Sequence, residues 1–385
     1  MREVSEGREA APVASVVAGA KRAEAAVAAP FWGREYWGLL AAIAAMVVVL
    51  LIPTPEGLPV AGHRMLAVLA FAVIVWMTEA LDYAVSAVVI AALMAFLLGL
   101  SPNPANPKVL MGTSAGLGLA FSGFANTALA LVAAALFLAA AMATTGLDKR
   151  IALVILSRVG TETRQVVVGA ILVGFVMAFL VPSTTARVAC LVPIMLGIIA
   201  AFGVDKKGAF AGMLMITTVQ TASIWNVGIK TAAAQNMVAV GFIERTLKQT
   251  ITWIEWFIAA APFAIIMSVA LYFVMSWMMP PEVKEVPGGR DAIRKSLADL
   301  GPMKTSEKKL LAISLTLLAF WATEGVFHIF DTSTTTVAAV ALMFLPGIGI
   351  MTWKEAQPNI PWGTIVLFGI GISLGTALLQ TRGAT

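Results

Sequence analysis

The chain of 385 residues contains one cysteine, two histidines and three tyrosines. A single thiol, Cys190, excludes an intramolecular disulfide framework, and no Cys/His spacing suggests a structural zinc site. Charge is also scarce. Only 12% of the residues are Asp, Glu, Lys or Arg and 59% are hydrophobic, against about 25% charged in an ordinary soluble domain. The basic residues form no single patch, so the formal charge of +5 points to membrane topology and not to a nucleic-acid partner. There is no H-E-x-x-H, no pair of intramembrane aspartates, and no cysteine or histidine beside a candidate nucleophilic serine; an enzyme of the membrane interior finds no support.

What the chain has is apolar runs, among them "YWGLLAAIAAMVVVLLIP" at 36–53 and "AVSAVVIAALMAFLLGL" at 84–100. Runs of this length span or nearly span a hydrocarbon core of roughly 30 Å, and their Ala, Leu and Gly content favours helices over barrel strands. The expected fold is therefore an all-α polytopic membrane protein in contact with the lipid bilayer. Residues 1–34 lack the basic start, short apolar core and cleavage site of a signal peptide and read as a cytoplasmic tail. With the N-terminus inside, runs at 36–53, 65–80, 84–100 and 127–146 cross in turn, and Lys149, Arg150, Arg158 and Arg164 fall in the cytoplasm.

Two arms of 16 residues follow, 166–181 and 188–203, each roughly 24 Å as a helix and short for a full span. Arg164 flanks one outer end, Lys206 and Lys207 the other, so both ends want the same membrane face. The simplest solution is a re-entrant hairpin, 166–203, entering from the cytoplasm with "PSTTAR" at its tip. A broken span at 208–242 then exits, 253–279 returns, and the hydrophilic loop 280–309 lies inside. In this topology 19 of the 26 basic residues are cytoplasmic and four are external. The location expected is the inner, cytoplasmic membrane.

The stretch from Trp76, "WMTEALDYAVSAVVIAALMAFLLGL", is similar to that from Trp321, "WATEGVFHIFDTSTTTVAAVALMFLPGIGI". The leading helices of the two copies run in opposite senses, which makes them inverted repeats, a transporter arrangement with substrate held between discontinuous helices. The offset is about 245 residues, so a second hairpin is expected near about residue 430 and the second repeat is expected to be incomplete, by truncation, in these 385 residues.

An interrupted helix in lipid exposes backbone N–H and C=O groups that protein, water or a ligand must satisfy. Pro182 ends the first arm. Ser183, Thr184 and Thr185 supply hydroxyls suited to Na⁺ or to a carboxylate, and the N-terminus of the second arm adds partial positive charge. A membrane-buried arginine such as Arg187 costs at least about 2.5–3.5 kcal/mol and persists where a partner or pathway uses it. The bland alternative is that the hydroxyls cap the arm and Arg187 pairs for stability. At the second break, 217–236, Asn226, Thr231 and Asn236 offer carbonyl or hydroxyl ligands and Lys230 a second positive charge. There the alternative is a snorkelling lysine and side chains that bond neighbouring helices. Glu79, Glu324 and Asp82 read as helix caps or ties between repeats, and His63 and His328 as interfacial histidines. The glycines of "GIGISLG" at 369–375 read as packing residues.

These residues carry a resemblance. "WMTEALDYAVSAVV" resembles W-x-T-E-A-L-P-x-x-V-[TS]-A, and "VPSTTARVACLVPI" resembles P-S-N-T-A-R-x-x-x-x-x-P-I, of the divalent anion:sodium symporters. "TAAAQN" at 231–236 and "PWGTIVLFGIGISLG" at 361–375 are similar to two further segments of that family. The resemblance covers about residues 35–385. It implies a homodimeric carrier of di- or tricarboxylates or sulfate, in which a transport region moves elevator-like against a scaffold. On that pattern 35–125 are scaffold helices, 126–252 the transport region, 253–309 a scaffold helix and cytoplasmic loop, and 310–385 the start of the second repeat. Ser183, Thr184, Thr185, Arg187 and Thr231 would meet the small anionic substrate. Ser183, Thr185, Arg187, Asn226, Lys230 and Asn236 would form the ion or fixed-cation site. Thr184 departs from the usual Asn, leaving a shorter hydroxyl without the amide donor. The arginine two residues after the motif is typical of the branch with plastid 2-oxoglutarate/malate translocators and bacterial dicarboxylate exchangers. No cofactor is implied beyond Na⁺ as coupling ion. A tethered guanidinium cannot dissociate as Na⁺ does, so the empty carrier returns slowly and exchange is favoured over the alternative, Na⁺ symport.

Overall fold

The computed structural model describes residues 33–160, 162–201, 203–205, 207–282 and 289–383. All but the last two residues of the expected cytoplasmic tail, and Lys206, lie outside them. The described residues form helices throughout, with a single short hairpin of strands.

One compact unit comprises 33–122 and 373–383. It holds α1 (Arg34–Leu51), α2 (Val60–Thr78), α3 (Tyr83–Gly99), the antiparallel strands β1 (Pro102–Asn103) and β2 (Asn106–Leu110), and α4 (Thr113–Phe121). The chain turns where the sequence forbids helix. Pro53 and Pro55 follow α1, and Glu79 closes α2 in the left-handed region at φ 53°. A Cβ on Gly99 would stand 2.5 Å from the Cα of Thr113, so glycine is what allows α3 and α4 to approach. His63 is buried, its ring nitrogens bonded to Thr54 Oγ1 at 3.0 Å and to the carbonyl of Val49 at 2.7 Å, which fastens the α1–α2 turn.

The second compact unit comprises 123–372. Its helices are α5 (Thr127–Thr145), α6 (Leu147–Arg158), α7 (Thr163–Leu180), α8 (Thr184–Ala201), α9 (Ala209–Gly228), α10 (Ala234–Leu247), α11 (Trp253–Met278), α12 (Gly289–Ala298), α13 (Thr305–Ala322), α14 (Thr332–Phe344), α15 (Trp353–Ala356) and α16 (Trp362–Gln380), whose last turns belong to the first unit. A 3₁₀ turn, Lys230–Ala232, separates α9 from α10. A core of Leu, Ile, Val, Met and Ala from α5 through α14 is buried between these helices.

Among the described residues five helices are long and apolar enough to cross a membrane: α2, α5, α7, α11 and α16. Along α11, Ile258, Ile266, Phe273 and Trp277 are 64–82% exposed. A ridge of large apolar side chains of that kind is at home in lipid and not in water.

Three segments differ from the reading of the sequence. The expected basic loop after α5 is largely the helix α6, and the hydrophilic loop 280–309 contains α12, although 283–288 lie outside the described residues. Both are short and polar, so neither shows as an apolar run. The second arm begins at Thr184, four residues earlier than expected, because Ser183 caps it: its Oγ accepts from the N–H of Ala186 at 3.3 Å.

The Trp-x-Thr-Glu copies share one contact. Trp76 Nε1 donates to Ser86 Oγ at 3.1 Å, and Trp321 Nε1 donates to Thr336 Oγ1 at 3.1 Å. Each indole thus ties its helix to the next one.

Candidate functional site

The break between α7 and α8 is only three residues, Val181, Pro182 and Ser183. Thr184, Thr185 and Arg187 therefore stand on the first turn of α8, where successive side chains are separated by about 100°. Residues three or four apart share a face, so Ser183 and Thr184 go with Arg187 while Thr185 looks elsewhere.

Arg187 is fully buried. Its Nη2 donates to Asn226 Oδ1, to the carbonyl of Ala232 at 3.3 Å and to that of Ala222 at 3.4 Å. Nε and Nη1 have no partner, and among the described residues no carboxylate lies within ion-pair distance of the guanidinium. Asn226 turns its amide to Thr184 Oγ1 at 2.6 Å, so one asparagine on the last turns of α9 holds two side chains of the first turn of α8. Asn236 donates to the carbonyl of Ile229 at 3.0 Å and to that of Asn226. It thereby satisfies acceptors released where α9 stops.

Lys230 and Thr231 lie on the 3₁₀ turn and belong to a different neighbourhood. Trp253 Nε1 donates to Thr231 Oγ1 at 3.1 Å. The Lys230 ammonium donates to the carbonyl of Ile251 at 2.6 Å and stands 3.8 Å from Glu324. Glu324 accepts from Trp253 N–H at 3.0 Å, Thr332 N–H at 2.9 Å and Thr332 Oγ1 at 2.7 Å. One carboxylate therefore caps the starts of both α11 and α14. At Glu79 in the other copy the last carbonyls of α2 are satisfied by the Ala80 N–H, which donates to Val75 O at 3.2 Å, and by the Thr78 hydroxyl, which donates to Ile74 O at 2.7 Å.

Ser183 and Thr185 face a cavity of about 780 Å³, whose wall also includes Ala186, Ala189 and Cys190 of α8, Asp148 and Lys149 of α6, Ser296 of α12, and Asn359. Its volume lies within the range of small-molecule sites, roughly 300–1,000 Å³. The eight residues singled out in the sequence thus occupy three settings: the cavity wall, the buried guanidinium cluster, and the Lys230–Glu324 junction. Asp148, Ser296 and Asn359 escaped notice, and Lys149 reads only as a topology signal, because they lie outside the apolar runs, on short elements with no periodic pattern.

Apolar helices of membrane-crossing length, together with two polar breaks between helices that meet around a buried cation, mark a polytopic membrane protein. Residues 33–384 match the family described as the sodium:sulfate symporter transmembrane region, and the chain belongs to that family. It is 57% identical over 347 residues to a membrane protein of Cupriavidus necator, covering 90% of this chain and 68% of that one. Inner membrane protein YbhI of Escherichia coli K12 is 32% identical over 266 residues, 68% of this chain and 55% of its own length. The L-tartrate/succinate antiporter of E. coli O6:K15:H31 is 25% identical over 359 residues, 90% of this chain and 72% of the antiporter. The chain thus spans between about half and three quarters of the length of these relatives.

Proposed function

We propose that the protein is a secondary transporter of dicarboxylates of the malate, succinate or 2-oxoglutarate type, working by exchange. The observation that carries this reading is Arg187. A buried guanidinium with two unpartnered nitrogens and only neutral acceptors is left uncompensated on the helix whose Ser183 and Thr185 line a cavity. Burying an uncompensated charge is strongly unfavourable, and an anion in the cavity relieves it.

In this reading a substrate carboxylate accepts from the hydroxyls of Ser183 and Thr185 and from the free N–H groups at the start of α8, with Arg187 as fixed countercharge. Asn226 holds both Arg187 and Thr184 in place. The name of the antiporter relative supports exchange of dicarboxylates, and the family description keeps Na⁺ symport as the second reading. On that second reading the hydroxyls and Asn226 take Na⁺. The re-entrant entry of α7–α8, the inverted relation of the two Trp-x-Thr-Glu copies, the homodimer and the elevator movement are parts of the same proposal.

Thermal unfolding of the purified protein in sodium-free detergent tests it. A ligand that binds the folded state alone at a hundred times its Kd adds about 2.7 kcal/mol. Malate or succinate should raise the midpoint in wild type and fail to do so in Arg187→Ala. Stabilisation that appears only with Na⁺ would favour symport.

A further inference from the structure

Asp148 is a group that an anion site does not call for. It is 5% exposed and stands in the wall of the cavity onto which Ser183 and Thr185 open. As the second residue of α6 it is held there by the start of that helix at Gly146. Its Oδ1 accepts from the N–H of Lys149 at 2.7 Å, and the Cys190 thiol donates to it from α8.

No cation neutralises it at ion-pair distance among the described residues. Lys149 follows it in sequence, with an exposed side chain in the same cavity wall, and Arg187 of α8 is bonded to Asn226 and two carbonyls. Arg150 is taken up by Glu307 of α13 and by the carbonyls of Gly301 and Leu300. From α12, Ser296 joins the wall, while Asp291, Arg294 and Lys295 are exposed; α7 offers only the exposed Arg164, and α5 carries no charge. Burial pushes the Asp148 carboxyl above its usual range, against the weaker pull of the Lys149 N–H, the Cys190 thiol and the Lys149 charge. A dianion entering the same cavity acts in the same direction as burial, since like charges in a poorly solvated space disfavour one another.

We propose that Asp148 is a proton site coupled to the anion site, so that a dicarboxylate entering the cavity is accompanied by one proton taken from solution onto the Asp148 carboxylate. The proton converts a repelling acceptor into a hydrogen-bond donor facing the substrate. The proposal rests on the dicarboxylate reading above. It makes the bound unit less negative by one charge. It also fixes a sign: where Asp148 is ionised in the empty protein and neutral in the loaded one, affinity falls as pH rises, by up to about tenfold per pH unit.

Isothermal titration of the purified full-length protein with L-tartrate, in two buffers of unlike ionisation enthalpy between about pH 6 and about pH 8, counts the protons directly, because both tartrate carboxyls stay ionised there. Wild type should take up close to one proton per tartrate at the pH where its affinity falls. Asp148→Asn should take up none and bind with pH-independent affinity, and Asp148→Glu should restore the uptake. If Asp148→Asn does not fold, the wild-type proton count decides alone. Wild-type binding without proton uptake, or uptake that survives in Asp148→Asn, would overturn the coupling and leave the dicarboxylate reading standing. Failure of tartrate, succinate and malate to bind at any pH would overturn both.

Discussion

A guanidinium held by neutral acceptors remains a cation to anything that approaches it, whereas one held by a carboxylate does not. Arg187, bonded to Asn226 and two backbone carbonyls, is of the first kind. Asn226→Asp separates a transport role from a structural one. It gives Arg187 a buried countercharge, so the protein should stay as heat-stable as wild type while transport falls by at least about a hundredfold, the charge being already neutralised. Wild-type flux in Asn226→Asp would make Arg187 a packing residue. Arg187 and the hydroxyls were legible in the sequence because charge and polarity inside an apolar run demand a reason. Their partition was not: "PSTTAR" reads as a loop whose side chains converge, but Ser183 starts a helix, and the helix turns Thr185 away from Arg187. Asp148 was hidden because it sits among basic residues that the charge rule already explained.

At the scale of elements, the apolar runs marked α1–α3, α5, α7, α8 and α11 to within a few residues, since span-length hydrophobicity leaves little else for the chain to do in lipid. The second break, expected over 217–236, is narrower because α9 stays helical to Gly228. The amphipathic and polar helices α6 and α12 carried no such mark, and a basic residue taken only as a topology signal turned out to fasten two of these elements. Arg150 Nε donates to Glu307 Oε1 at 2.9 Å and its other nitrogens reach Gly301 and Leu300, tying α6 to the start of α13. Burial works to raise the Glu307 carboxyl, but the Arg150 hydrogen bond, the Lys304 N–H and the nearby charges prevail and hold it below its usual value. A depressed carboxyl stabilises the fold above its unfolded-state pKa and loses that contribution as pH falls through the folded one. The melting midpoint of wild type should therefore drop between about pH 6 and about pH 3.5, and Glu307→Gln should be less stable at the upper pH and less sensitive to acid. Glu324 makes a larger difference. Glu324→Ala removes the acceptor of the first N–H of α11 and of α14, whose caps Thr252 and Asp331 remain, and strands Lys230, at a cost of about 3–5 kcal/mol, and the double change Glu324→Gln with Lys230→Met should recover much of it. Equal instability of the two variants in a melting experiment would show that the ion pair contributes little.

For the whole molecule, charge bias gives an orientation that the fold alone does not. With the N-terminus inside, Asn106 on β2 is external and Ser296 on α12 is cytoplasmic. In a Cys190→Ser background, an impermeant maleimide should label Asn106→Cys on intact cells and Ser296→Cys only after permeabilisation; the opposite pattern would invert the topology. Trp76 and Trp321 make matching indole bonds, each tying one helix to the next. That a transporter was readable at all follows from lipid being a severe solvent, in which a polar break must be used or it is not tolerated. Exchange with a built-in cation is tested most directly by labelled malate uptake into proteoliposomes of the full-length protein, in sodium-free buffer, with or without dicarboxylate inside. Uptake that requires internal dicarboxylate, proceeds without Na⁺ and vanishes in Arg187→Ala is the predicted result. Uptake into empty vesicles only when Na⁺ is added outside, or wild-type rates in Arg187→Ala, would contradict it.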